Sequence, residues 1–186
     1  MTPLVRLEGI TKRFGRVVAN DHVDFDLNPG EVHALLGENG AGKTTLMGIL
    51  YGLHPPDEGT IYLQEEPVSF RSPHDAVARG IGMVHQHFML IQPFTVAENI
   101  MLGVRSSRGL LLDAKAVKSR LATLSREYGL QVDPQATVAE LSVGAQQRVE
   151  IIKALNQEPR VLILDEPTSV LTPQEVTDLF GVLRAL

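Results

Sequence analysis

The sequence predicts an α/β fold with an antiparallel subsheet, and three observations carry that prediction. Short apolar runs, Glu31–Leu36 and Val161–Leu164, each deliver into a polar loop that is followed by a segment of helical spacing. Alternating runs near the N-terminus read as half-buried antiparallel strands. Between residues 114 and 155, apolar residues recur at three- and four-residue steps.

In chain order, Leu4–Leu7 and Val23–Leu27 alternate apolar and polar residues, and Thr60–Leu63 and Val68–Phe70 repeat that pattern. The Pro29-Gly30 turn opens Glu31–Leu36, a strand by its β-branched and apolar content, and Thr45–Leu50 then has helical spacing. Ser72-Pro73 and Thr95 start two helices with a hydroxyl cap, the second with Glu98 closing a capping box. Gly80–Val84 is a short buried strand ending at His85-Gln86-His87. After Asp113, the positions Ala114, Val117, Leu121, Leu124 and Tyr128 form the apolar stripe of one amphipathic helix, with Lys115, Lys118, Arg120 and Arg126 between them. Ser142 opens a further helix carrying Val149, Ile152 and Leu155. Val161–Leu164 is bounded by Pro159 and Asp165 and suits a parallel strand buried on both faces. Thr172 caps the last helix, with Pro173 at its first position and Glu175 three residues after the cap.

Composition narrows the function. The 186 residues are 44% hydrophobic and 21% charged, as in ordinary globular domains, with a net charge of −5. Its 17 Lys and Arg are scattered, so no electrostatic footprint for nucleic acid appears. There is no cysteine, which excludes disulfides, thiol catalysis and zinc-thiolate sites. No apolar run reaches the length of a membrane span, and the first residues lack the pattern of an export signal.

Gly37-Glu38-Asn39-Gly40-Ala41-Gly42-Lys43-Thr44 fits G-x-x-x-x-G-K-[ST], the loop that cradles nucleotide phosphates. Glycines let backbone N–H groups converge on the phosphates, Lys43 adds a point charge, and Thr44 offers a hydroxyl to Mg²⁺. Asp165 and Glu166 stand at the C-terminal end of a buried strand, where ligands of open α/β sheets bind. Asp165 suits a metal shell and Glu166 a proton acceptor for an attacking water. Gln86 follows a strand and offers an amide oxygen to metal or water, while a solvated loop glutamine is the plain alternative. Ser142 and Gly144 begin a helix, which serves equally as a phosphate site or an ordinary cap. His85 and His87 have no third ligand in view and read as structural.

Gly37–Thr45, Gln86 after Met83-Val84-His85, Leu141–Arg148 and Leu162–Thr168 stand in the order found in the ATP-binding subunits of ABC transporters, which this chain resembles over nearly its whole length. The resemblance implies a P-loop NTPase core with an inserted α-helical subdomain: residues 1–86 and 158–186 as core with the antiparallel subsheet, and about 87–157 as the helical part. It implies ATP and Mg²⁺ as ligands. Asn39, Gly40, Ala41, Gly42 and Lys43 would hold phosphates, Thr44 the metal, and Thr45 the α-phosphate. Gln86 would sense the γ-phosphate, Asp165 would bind the metal and Glu166 would activate water. Phe14 matches the aromatic that stacks on adenine, against the alternative of a core phenylalanine. Ser142 and Gly144 would close over ATP held by a second domain.

The phrases Leu141–Ile151 and Val170–Glu175 are most similar to the simple-sugar and nucleoside importers of that family, with nucleoside preferred. The resemblance then implies the N-terminal half of a tandem ATPase at the cytoplasmic face of a bacterial inner membrane. Its partners would be a second ATP-binding domain, tandem half or homodimer, integral membrane permease subunits and, indirectly, an extracytoplasmic solute-binding protein. Three positions depart from the family pattern. Val143 replaces a glycine, Ala145 a polar residue that would complete a capping box, and Thr172 an aspartate. None of the six histidines lies beyond His87, where a switch histidine is expected, so a C-terminally incomplete domain with impaired hydrolysis is anticipated. An ATPase subunit and a nucleotide-gated interaction module without efficient turnover are therefore both open. Glu166 favours the first and the missing histidine the second.

Overall fold

The computed structural model describes residues 2–102, 114–169 and 171–186. Asp113, expected to start a helix, and Val170 of the importer-like phrase lie outside them, as do the side chains of Ala114, Lys115 and Lys118. Contacts divide the chain into two compact units, Met1–Arg79 and Gly80–Leu186.

The first unit is built on strands β1 (Val5–Phe14), β2 (Val17–Leu27), β3 (Glu58–Leu63) and β4 (Glu66–Val68), ordered β2-β1-β3-β4 and all antiparallel. The alternation seen in the sequence sets the register: Val5 and Leu7 are fully buried, with Leu7 opposite Phe25 on one side and Ile61 on the other. Helices α1 (Lys43–Leu50) and α2 (Pro73–Ala78) follow β2 and β4. Leu46, Ile49 and Leu50 are at most 3% exposed, so burial of these side chains contributes roughly 1.5–3 kcal/mol each toward holding α1 in place.

Three local expectations fail here. Of Val68–Phe70 only Val68 lies in a strand, because the pairing with β3 runs back from Val68 to Glu66. Glu31–Leu36 forms no ladder, and Val32 and Leu36 are 73% and 88% exposed. β-Branched content supplies propensity, but a strand satisfies its backbone groups only through a neighbour, and none of the described residues pairs with this segment. Glu31 turns back instead, accepting from the Asn28 N–H and side-chain amide at 2.9 Å. Ser72 does occupy the N-cap of α2, yet its hydroxyl makes no capping bond; the Asp75 carboxylate accepts from the Arg71 N–H at 2.9 Å instead.

The second unit has parallel strands β5 (Ile81–Val84) and β6 (Val161–Leu164), paired Ile81 with Val161 through Val84 with Leu164. All four residues of β5 are buried. Leu162 and Leu164 of β6 are only half-buried, so β6 is not sealed on both faces as its apolar run suggested. Around them stand α3 (Val96–Met101), α4 (Ala114–Glu127), α5 (Val143–Leu155) and α6 (Pro173–Ala185). Leu121, Leu124, Val149, Ile152 and Leu155 meet Val96, Ile100 and Val138 in one apolar cluster. Thr95 with Glu98, and Thr172 with Glu175, form complete capping boxes that fix the starts of α3 and α6.

Candidate functional site

In the first unit, Gly42 is the N-cap of α1, in a left-handed conformation with φ 84°. A Cβ there would collide with the Ala19 carbonyl and crowd the Asn20 amide, so only glycine allows β2 to approach this closely. Asn20, 6% exposed, donates from Nδ2 to the Gly42 carbonyl at 3.2 Å and props the loop from below. Gly40 also has a positive φ, and no atom lies within 4 Å of where its Cβ would be. Asn39, Ala41 and Thr44 are exposed and Thr45 is half-buried. α1 has no acidic residue in its first turn, which leaves its N-terminal dipole unopposed.

Lys43 reaches back over this loop. Its Nζ donates to the carbonyls of Gly37 at 2.7 Å and Glu38 at 2.8 Å, which holds the ammonium at the mouth of the glycine turn. Elsewhere in the unit, Phe14 is 45% exposed and therefore not a core residue. Its ring meets His54 edge-on at 5.3 Å between centroids, and Lys12 Nζ lies 5.6 Å from the ring centre. Lys12 itself is fixed by the Pro55 carbonyl at 2.8 Å and Asp57 at 3.0 Å.

In the second unit, the parallel pairing of β5 and β6 brings two sequence-predicted residues together. Gln86 and Glu166 each stand two residues beyond the paired positions Val84 and Leu164, and Gln86 Nε2 donates to Glu166 Oε2 at 2.8 Å. The Asp165 N–H continues the ladder to the Val84 carbonyl at 3.0 Å, and Asp165 is only 9% exposed. Glu166 has φ 48°, a left-handed conformation costly for a non-glycine residue. Its carbonyl accepts from the Ser169 N–H at 3.2 Å and hydroxyl at 3.0 Å, and these bonds hold the turn.

Ser142 is the N-cap of α5, accepting from the Ala145 N–H at 3.3 Å. With alanine at that position no side chain returns the bond, which lowers the stability of this helix start by a few tenths to about 1 kcal/mol. Gly144 is buried because the Glu175 carboxylate of α6 occupies the space a Cβ would need. Gly144, Arg148 and Glu175 also line a cleft of about 590 Å³ that includes neither Gln86 nor Glu166.

Sequence reasoning missed Asn20 under the phosphate loop, Glu175 against Gly144, and Glu150. Glu150 on α5 is 4% exposed and accepts from the Met89 N–H at 2.6 Å. Burial holds its carboxyl above the usual range, opposed by Lys153, by the Met89 bond and by His85. One signal for it was present: an acid between Val149 and Ile151 on a helix with an apolar face.

The possible metal donors are oxygens: the Thr44 hydroxyl, the Gln86 amide and the Asp165 carboxylate. Thr44 belongs to the first unit and Gln86 and Asp165 to the second, and oxygen donors of this kind suit a hard cation such as Mg²⁺. Among the described residues no group of three or more His, Cys, Asp or Glu is clustered as for a metal.

Comparison with known proteins follows the same lines. Residues 20–169 match the family model described as ABC transporter. The chain is 51% identical over 183 residues to the nucleoside import ATP-binding protein NupA of Lactococcus lactis subsp. cremoris, covering 98% of this chain and 36% of that protein. It is 52% identical over 188 residues to a ribose import ATP-binding protein of Burkholderia thailandensis, covering 100% of this chain and 37% of the other. The ADP conformation of an ATP-binding cassette of an ABC transporter superposes with a TM-score of 0.86 at 27% identity, covering 99% of this chain and 76% of that one. The chain thus spans little more than a third of the length of these curated relatives.

Proposed function

Since the chain belongs to the ABC transporter family, we propose that it is the ATP-binding and ATP-hydrolysing part of an importer for simple sugars or nucleosides. The observation that carries the reading is the Gln86–Glu166 hydrogen bond at the ends of β5 and β6, in a chain that also bears a complete phosphate loop. The relatives named for nucleoside and ribose import support the solute class.

The roles are those the resemblance implies, and local geometry supports some of them. The N–H groups of Asn39 to Lys43 and the start of α1 bind phosphate oxygens, and Lys43 exchanges its two carbonyl partners for the β- and γ-phosphates. Thr45 serves the α-phosphate, and exposed Phe14 offers a ring face to adenine. Glu166 accepts a proton from water as the water oxygen bonds to the γ-phosphorus and the bond to the ADP oxygen breaks, giving ADP and phosphate. Gln86 binds one carboxylate oxygen of Glu166, so the other is left to the water. Thr44 in the first unit and Gln86 and Asp165 in the second would be the oxygen donors for Mg²⁺, which would supply charge neutralisation for the phosphates. Ser142 and Gly144 close over ATP held by a second ATP-binding domain, so nucleotide binding favours association.

No helix among the described residues is long and apolar enough to cross a membrane. The partners in this reading are integral permease subunits, a second ATP-binding domain and, through the permease, a solute-binding protein. The working place is the cytoplasmic face of the membrane. The test is ATP-dependent uptake of labelled nucleoside and ribose into vesicles carrying the full-length protein with its permease. Uptake of either solute that requires ATP and fails with Lys43→Ala is expected. ATP retention without turnover or uptake would replace this reading with a nucleotide-gated interaction module.

A further inference from the structure

The Gly42 carbonyl, at the junction of the glycine loop and α1, is held twice. It accepts from the Leu46 N–H at 2.9 Å, within the first turn of the helix, and from Asn20 Nδ2 of β2 at 3.2 Å. The neighbouring Ala19 carbonyl stands so close to Gly42 that a Cβ there would collide with it. Two consecutive residues of β2 therefore fix the peptide at which loop becomes helix. Asn20 itself sits in the ladder opposite Lys12, whose ammonium is tied to the Pro55 carbonyl and to Asp57.

An amide is an unfavourable side chain for this place. Asn20 is 6% exposed, and its Oδ1 is buried with no hydrogen-bond partner among the described residues. A buried acceptor left unpaired costs about 1–3 kcal/mol, and a leucine, branched at the same atom, would occupy the position without that cost. What leucine would not supply is the donor to Gly42. The amide also has a definite orientation, because turning it over would set Oδ1 against the Gly42 carbonyl, two acceptors face to face.

Peptide geometry gives that donor its use. The C=O and N–H of a trans peptide point in opposite directions, so a carbonyl anchored toward Asn20 and Leu46 aims the N–H of the same peptide away from both. That N–H belongs to Lys43, the first residue of α1, and has no acceptor inside the helix. It leaves by the N-terminal end of α1, where an anion is favoured. Gly42, at φ 84° and without a side chain, offers little resistance of its own to rotation of this peptide.

We propose that Asn20 is a positioning residue for the nucleotide: by anchoring the Gly42 carbonyl it aims the Lys43 N–H at a phosphate oxygen, and the fold is less stable for carrying it. The inference rests on reading the glycine loop as a nucleotide site. It separates two quantities that an ordinary buried contact would move together, since removing the amide should weaken the ligand while leaving the empty protein as stable as before or more so.

The experiment measures Mg²⁺-ATP affinity by calorimetry, and the melting temperature without nucleotide, for wild type, Asn20→Leu and Asn20→Asp in the full-length protein. Asn20→Leu is expected to bind ATP about five- to tenfold more weakly, the worth of one hydrogen bond, while melting at or above the wild-type temperature. Asn20→Asp keeps the shape of the side chain but sets a carboxylate against the Gly42 carbonyl. At about pH 8 it should bind more weakly than Asn20→Leu; toward about pH 5 its protonated carboxyl donates to the same carbonyl, and affinity relative to wild type at each pH should recover several-fold. Asn20→Leu should show no such recovery. An Asn20→Leu affinity within about twofold of wild type, or an affinity and a melting temperature that fall together, would overturn the proposal. So would an Asn20→Asp variant whose affinity relative to wild type does not change with pH. A wild type that does not bind ATP would fault the nucleotide reading itself and the inference with it, whereas tight binding by wild type and Asn20→Leu alike would fault the inference alone.

Discussion

Gln86 and Glu166 are hydrogen-bonded at 2.8 Å although 80 residues separate them, because each lies two residues past a paired position of two neighbouring parallel strands. Register alone brings them together: any one-residue slip of β5 against β6 would move Gln86 out of reach and turn the strand faces over. The left-handed turn at Glu166 then presents the carboxylate beside the amide. The geometry suits a base that must be held still while a water is aligned.

The phosphate loop depends on a backbone that only glycine permits. Gly42→Ala adds a Cβ that meets the Ala19 carbonyl at a positive φ, and the two penalties together destabilise the protein by about 2–4 kcal/mol. Thermal or denaturant unfolding checks this, and a loss under about 0.5 kcal/mol would mean that β2 gives way easily.

Lys43→Ala removes the ammonium that now bridges two loop carbonyls. ATP affinity, measured by calorimetry on the full-length protein, should fall by about 10² or more while the fold is kept, because in the proposed reading Lys43 makes charge-assisted contacts to phosphate oxygens. Unchanged affinity would remove Lys43 from the phosphate site.

Gly144→Ala displaces the Glu175 carboxylate from its place beside α5, and with it the cap of α6 at Thr172. The expected cost is about 0.5–2 kcal/mol. In a double-mutant cycle with Glu175→Ala the two losses should overlap rather than add, and strict additivity would deny the contact.

Glu150→Gln carries a pH signature. Burial raises the carboxyl in the folded state, against Lys153, His85 and the Met89 N–H, so the folded protein binds this proton more tightly than the unfolded chain. Its contribution therefore falls as pH rises from the ordinary carboxylate value through the raised one. Glutamine does not titrate, so the melting temperature of Glu150→Gln relative to wild type should rise across that window and level off above it. A constant difference across the window would show that the carboxyl is not raised.

Much of this was legible in the sequence where the determinants are local. Thr95 with Glu98 and Thr172 with Glu175 announce their helices because both partners of each capping box lie within one turn. β5 and β6 announce themselves by apolar runs with polar exits, and the phosphate loop by its glycines. Glu31–Leu36 misled for the opposite reason: strand propensity is local but the ladder is not. The ties from Glu150 to Met89 and from Glu175 to Gly144 span 61 and 31 positions of chain, and no spacing rule reaches that far. Phe14 was ambiguous between core and surface until its exposure was seen.

In the proposed reading Glu166, steadied by Gln86, is the group that activates water. The most direct measurement is ATP hydrolysis and ATP binding by Glu166→Gln in the full-length protein assembled with its permease. Binding should be kept while the hydrolysis rate falls by about 10² or more. A rate within a few-fold of wild type would contradict the claim and place the base elsewhere.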